Sequence, residues 1–237
     1  MLQNTPLDTS FNFYSDSNGQ DPDKSSPTLR RYHKELWSKP LPSGIQFDLS
    51  NDVKDAYLYH KSEIGEFYLG SDSITHSYKS QRRKKWLTDQ IPNEVNEVFS
   101  AGSTIGGFIL FPNKSIMRKN TINQARGINP FIDDRFDLTL ECIRLFYLDQ
   151  HSPLYDTLQR YKSFFDLFEN FNNYVNFFLL NDLVDEKLNI KFYLPFDDFK
   201  SKPIFGSVEE YLIYKSNIIS FVQLRNQRII NYLKKAD

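Results

Sequence analysis

The segment from Asp134 to Leu148, DRFDLTLECIRLFYL, constrains the fold more than any other part of the chain. On a helix turning about 100° per residue, Phe136, Leu140, Ile143 and Tyr147 fall on one side. Leu138, Cys142, Leu145 and Phe146 cover much of the opposite side. A helix that is apolar nearly all round has to be enclosed by other elements. Its charges, Asp137, Glu141 and Arg144, share one stripe of about 60°, at the four- and three-residue spacings that let helical side chains pair. Such a stripe faces a narrow solvent window, a buried salt-bridge network or a cleft.

The remaining sequence can supply that enclosure. Its 237 residues are enough for one large domain with a substantial core. With 21 Phe and 14 Tyr, the interior is expected to be built on aromatic rings. Residues 1–27, rich in Asp, Ser, Asn and Pro, read as a partly ordered arm ahead of a single domain over 28–237. The Asp16, Asn18, Asp21, Asp23 group lacks the loop length and terminal Glu of an EF-hand and reads as a polar turn.

Spacing predicts a short helix over Thr28–Trp37, with Leu29, Tyr32 and Leu36 inward and Arg30, Arg31 and Lys34 outward. Gln46–Leu49, Tyr57–His60 and Phe67–Leu69 read as strands. Gly70-Ser71-Asp72-Ser73-Ile74 follows as a turn whose amides and hydroxyls, Ser71 and Ser73 above all, could meet a ligand. Asp89–Phe99 reads as a helix, and Thr104–Phe111, TIGGFILF, as a central strand whose paired glycines admit a close neighbour. Asp133 or Asp134 is placed to cap the apolar helix. Phe164, Phe168, Phe171, Val175 and Phe178 recur at helical spacing through Leu158–Val184. Ile190–Phe196 has strand character, and Val208–Lys234 reads as a last helix. The expected class is α+β: a small antiparallel or mixed sheet packed against Phe-rich helices.

Composition removes several kinds of function. Lys plus Arg (29) nearly cancel Asp plus Glu (30), so no global field steers the chain to nucleic acid or to an anionic membrane. Local basic residues could still meet a nucleotide or nucleic acid, as in the Lys79–Trp86 run KSQRRKKW, although a solvated charge run is the commoner outcome. No run approaches the roughly 20 apolar residues that span a bilayer, and the N-terminus lacks a secretory pattern. With one cysteine, Cys142, a cytoplasmic location is expected. GxGxxG, GxxxxGK[ST], GxSxG and HExxH are all missing, and four dispersed histidines offer no metal set. No cofactor is implied. The spacing of Arg144 and His151 resembles the motif of HEPN-type ribonucleases, while Ser152-Pro153 makes a helix-terminal histidine the simpler reading.

The segments TIGGFILFP, INQARG and DRFDLTLECIR, with GSDSI and RRYHKELWSKPLP, resemble a family of uncharacterised bacterial proteins over roughly residues 27–199. That resemblance implies a bacterial cytoplasmic protein and transfers no activity. The chemistry therefore rests on one constellation. Asn123, Arg126, Arg135 and Arg144, with Ser71 and Ser73, are candidate ligand contacts, since guanidinium forks fix phosphate or carboxylate. Glu141 and Asp137 are the candidate acid and base. The expected function is an enzyme or binder acting on a nucleotide or nucleic acid. The alternative is a protein-interaction module in which the same charges form a structural salt-bridge network. Oligomeric state and protein partners stay open.

Overall fold

Short helices lead into the sheet because the N-terminal segment carries its own caps. In the computed structural model, which describes residues 6–18 and 20–236, Asn12 caps α1 (Phe13–Asp16) and Asp21 caps α2 (Pro22–Ser25). Ser26 caps α3 (Pro27–Trp37), with Pro27 in its first turn. Residues 1–5 and 19 of the expected arm lie outside the described residues. Phe13 of that arm is fully buried and meets Tyr32 and Phe108 edge to face.

A two-stranded sheet, β1 (Lys39–Pro40) with β2 (Gln46–Phe47), precedes the main one. The main sheet is antiparallel in the order β3 (Leu58–Ser62), β4 (Gly65–Ser73), β5 (Phe108–Pro112). β4 corrects the expectation of a turn at Gly70–Ile74. Turn-forming residues occupy a strand there because Gly70, Ser71, Asp72 and Ser73 pair with Phe111, Leu110, Ile109 and Phe108, so tertiary pairing overrides local preference. β3 pairs only as far as Leu69, which leaves Gly70–Ser73 open along that edge.

Between the strands lie α4 (Lys85–Thr88) and α5 (Pro92–Gly102), and Ile105–Gly107 forms a 3-10 turn rather than the start of the strand. A Thr121–Gln124 capping box opens α6 (Ile122–Ile128). α7 (Phe136–Tyr147) is enclosed as its sequence requires, with Phe136, Leu138, Leu140, Cys142 and Ile143 all buried. Its cap is Arg135, without a capping side-chain bond. Asp133 and Asp134 instead take left-handed backbone angles, φ 48° and 63°.

The expected long helix after Leu158 is broken into α8 (Tyr155–Arg160), α9 (Lys162–Asp166) and α10 (Phe171–Phe177). Glu169 is left-handed at φ 66°, and Asn170 caps α10. The breaks let Phe164, Phe165, Phe168, Tyr174, Phe177 and Phe178 pack ring on ring. Over Ile190–Phe196 only an isolated bridge, Val184 to Ile190, forms. The Tyr193 backbone bonds side chains instead, its N–H donating to Asp137 Oδ2 at 2.9 Å and its carbonyl accepting from Asn217 at 2.8 Å.

α11 (Val208–Ala236) closes the molecule against α5 and the Ile105–Gly107 turn. Arg225, fully buried, donates to the carbonyls of Gly106, Phe108 and Phe178 and so ties α11 to β5 and α10. Among the described residues one hydrophobic core runs through an α+β single-domain fold with two small antiparallel sheets. Among the described residues no helix is long and apolar enough to cross a membrane.

Candidate functional site

The open edge of β4 borders a polar cavity of about 770 Å³. Asn113 donates its backbone N–H to Tyr68, and Ile74 donates to Gly107, so alternate β4 residues face β5. By that two-residue period the backbone groups of Ser71 point away from β5, toward the edge that β3 leaves uncovered. α2 contributes Asp21, Asp23 and Lys24 to the cavity, α3 contributes Arg30, and the approach to β3 contributes Tyr57. Ser71 and Asp72 form its floor, with Asn113, Asn123 and Gln124 at its amide-bearing rim.

Behind the floor, residues four apart on α3 build a relay. The Trp37 indole N–H donates to His33 Nδ1 at 3.0 Å, and His33 Nε2 lies 3.0 Å from Ser71 Oγ. His33 is fully buried, and burial with the Arg225 charge lowers its pKa to about 3. A neutral imidazole that accepts at Nδ1 carries its hydrogen on Nε2. His33 therefore donates to Ser71 and cannot act as its base. The Ser71 hydroxyl is left to donate in turn, and its influence opposes the upward shifts of both Asp23 and Tyr57.

Three buried polar atoms at this cavity, Asp23 Oδ1, Arg30 Nε and the Tyr57 hydroxyl, have no partner at hydrogen-bonding geometry, although the Ser71 hydroxyl stands close enough to Asp23 and Tyr57 to lower both pKa values. Tyr57 is only 8% exposed, and the Arg30 guanidinium lies 4.8 Å from its ring centroid. Unsatisfied groups of this kind are costly and infrequent in folded proteins. Burial, then the neighbouring Asp21 charge, raises Asp23 to about 7. Burial, then Asp23, holds Asp72 well above the usual carboxylate range, with Arg126 opposing. The cavity thus offers a carboxyl that burial biases toward its protonated form, a second carboxyl poised near neutrality, a hydroxyl and a guanidinium. Among the described residues no group of three or more His, Cys, Asp or Glu could hold a metal ion.

The residues expected from sequence are divided by the structure. Ser71 and Asn123 line the cavity. The Ser73 carbonyl accepts from Arg126 Nη1 at 2.7 Å, and its hydroxyl donates to Thr75. Arg126, 1% exposed, also donates to the Asp134 carbonyl and to Thr139, and its Nη2 lies 3.3 Å from the Asp134 carboxylate. Arg135 grips Asp137 through Nε at 3.1 Å and Nη2, both side chains being buried. Arg144 forks onto Glu141 with two bonds of 2.7 Å. The charges of the stripe are engaged within the fold, Asp137 by Arg135 and the Tyr193 N–H and Glu141 by Arg144. In the basic run, Arg83 and Lys84 both reach Asp133. α7 ends at Tyr147, and His151 packs on Tyr155.

Asp23, Arg30, His33, Tyr57 and Asp72 were not among the site residues expected from sequence. Signals existed for two of them. His33 falls on the same apolar stripe of α3 as Leu29, Tyr32, Leu36 and Trp37, all buried. Asp72 is the one charged residue within the apolar and small-residue stretch Leu69–Asp72 of β4.

A family model, Family of unknown function (DUF6994), matches residues 7–229, and the chain belongs to that family. No curated protein and no solved structure matches it.

Proposed function

We propose that this member of a family of unknown function binds a nucleoside- or nucleotide-type ligand in the Asp23–Asp72 cavity and transfers protons at it. The observation that carries the reading is the convergence of three buried polar atoms without a partner at hydrogen-bonding geometry, on Asp23, Arg30 and Tyr57, upon one polar cavity. Its volume of about 770 Å³ lies within the range of small-ligand sites. Carboxyls, a hydroxyl and side-chain amides suit a ligand rich in hydroxyls and heteroatoms, as a ribosyl group bearing a base is. Arg30 would hold an anionic substituent. Asp72, kept protonated, is the acid, and Asp23, ionised just above neutrality, is the base.

In this reading Ser71 and Asn123 are ligand contacts. Arg126, Arg135, Arg144, Asp137, Glu141 and Ser73 hold the framework, because their polar groups are engaged within the fold. The single cysteine, Cys142, is buried and unpaired, which favours a cytoplasmic setting.

Thermal melts with a panel of nucleosides and nucleotides test the proposal, since a ligand bound only by the native state raises the Tm. At least one compound should raise the Tm of the wild type and fail to raise that of Asp72→Asn or Tyr57→Phe. A panel that shifts nothing, or shifts all three proteins alike, would remove the cavity from consideration.

A further inference from the structure

A second cleft, of about 540 Å³, lies against another part of α6. Arg118, Lys119 and Arg160 line it beside Asn129, Thr157 and Ile128, and among the described residues no Asp or Glu does. This segregation is unusual for a chain with 29 basic and 30 acidic residues. Elsewhere Arg126, Arg135, Arg144 and Arg228 each meet a carboxylate. Arg118, Lys119 and Arg160 form no ion pair among the described residues.

Arg160 is held in place all the same. Nη1 donates to the Asp156 carbonyl at 3.0 Å, and Nη2 donates to the Asn120 carbonyl at 3.0 Å and to Thr157 Oγ1 at 3.2 Å. Its Nε is buried and has no partner. Neutral acceptors fix the guanidinium while its charge stays uncompensated and the Nε donor stays unused. Arg118 and Lys119 add two exposed cations at the same cleft. The loop that carries them takes left-handed angles at Met117 and Arg118, φ 54° and 58°. A pre-positioned guanidinium flanked by two exposed cations suits tetrahedral oxyanions, which accept several such donors at once.

We infer that the Arg118–Lys119–Arg160 cleft binds phosphate groups. The site is separate from the carboxylate cavity, and neither reading depends on the other. The phosphates belong either to a free polyphosphorylated ligand or to a nucleic-acid strand, whose chemistry at the cleft is the same.

Binding of tripolyphosphate and of a labelled ten-nucleotide single strand to the full chain separates these sources. The wild type should bind at least one probe, and Arg118→Gln/Lys119→Gln should weaken that binding by about tenfold or more, since each exposed cation contributes a phosphate contact. These side chains are exposed, so the variant should fold, which a melt checks. For the strand, the dependence of log affinity on log salt should also flatten by about one for each cation removed. Tighter binding of the strand assigns the cleft to nucleic acid, and tighter binding of tripolyphosphate assigns it to a free ligand. If neither probe binds, or if Arg82→Gln/Lys85→Gln abolishes binding while the cleft variant keeps it, the inference fails.

Discussion

The Trp37 indole N–H donates to His33 Nδ1 at 3.0 Å across one turn of α3, and this bond sets what Ser71 can do 38 residues away. A serine beside a buried histidine suggests a nucleophile and its base. Here the indole occupies the nitrogen that would have to carry the hydrogen for Nε2 to accept, so the serine receives a hydrogen bond from the ring. Nitrogen-15 NMR of the imidazole should find the hydrogen on Nε2 and no protonation between pH 7 and pH 4, in line with a pKa lowered to about 3. A midpoint near 6.5, or a hydrogen on Nδ1, would contradict the relay. Trp37→Phe leaves Nδ1 buried without a donor and should cost about 1–3 kcal/mol beyond the lost packing.

Two titrating residues beside Ser71, His33 and Asp23, bend the stability curve in opposite senses. His33 has a folded pKa of about 3 against an ordinary 6.5. The unfolded chain takes up the proton first, so this contribution is complete above about 6.5 and is lost as pH falls toward 3, at up to about 1.4 kcal/mol per pH unit. Asp23 has a folded pKa of about 7 against 3.8. The folded state keeps the proton longer, so its contribution is complete below 3.8 and is lost as pH rises through about 7. Urea unfolding from pH 4 to pH 8 should show Asp23→Asn gaining on the wild type up to about pH 7 and no further. A difference that stays flat across that window would return Asp23 to an ordinary solvated carboxylate.

How much of this was legible in the sequence depends on the range of the interaction. The enclosure of α7, the inner face of α3 and the extent of α11 follow from periodicity within each segment, and all three are present. The grouping of Asp137, Glu141 and Arg144 on one stripe is also local geometry. What that stripe faces is not local, because the partner that buries Asp137 is the Tyr193 backbone, 56 residues on. The cavity gathers Asp23, Arg30, Tyr57 and Ser71 from separate elements, and spacing along the chain carries no trace of that meeting. Gly70–Ser73 misled for the same reason, since only pairing with β5 makes a strand of it.

The two arginine forks at α7 should differ in their effect on stability. Arg135 and Asp137 are both buried, at 2% and 0% side-chain exposure, whereas Arg144 keeps 24%. Arg135→Met strands a carboxylate in the core and should cost about 3–5 kcal/mol. Arg144→Met also takes the partner from a carboxylate that keeps only 7% side-chain exposure, but Arg144 itself is partly solvated, so the loss should be smaller, about 1–3 kcal/mol. Equal losses in chemical denaturation would mean that the two pairs are equally desolvated.

The paired glycines of the Ile105–Gly107 turn admit close neighbours, and those neighbours belong to the chain itself. A Cβ on Gly106 would stand 2.6 Å from Asn226 Oδ1 and 2.8 Å from the Val222 carbonyl, both on α11. On Gly107 it would overlap the Gly102 carbonyl. The Val222 and Gly102 carbonyls are backbone obstacles in a packed region that side-chain rotation cannot clear, so overpacking should carry its full penalty. Gly107→Ala should destabilise by about 3 kcal/mol or more, and Gly106→Ala should also break the Gly106 N–H bond to Asn226. Gly127 provides the control. It lies in α6, and a Cβ there meets nothing within 4 Å. Gly127→Ala should therefore gain up to about 1 kcal/mol from helix propensity. Chemical denaturation of the three variants should separate them by sign. A neutral Gly107→Ala would mean that α5 and the turn can part at little cost, and the docking of α11 on them would have to be argued from Arg225 alone.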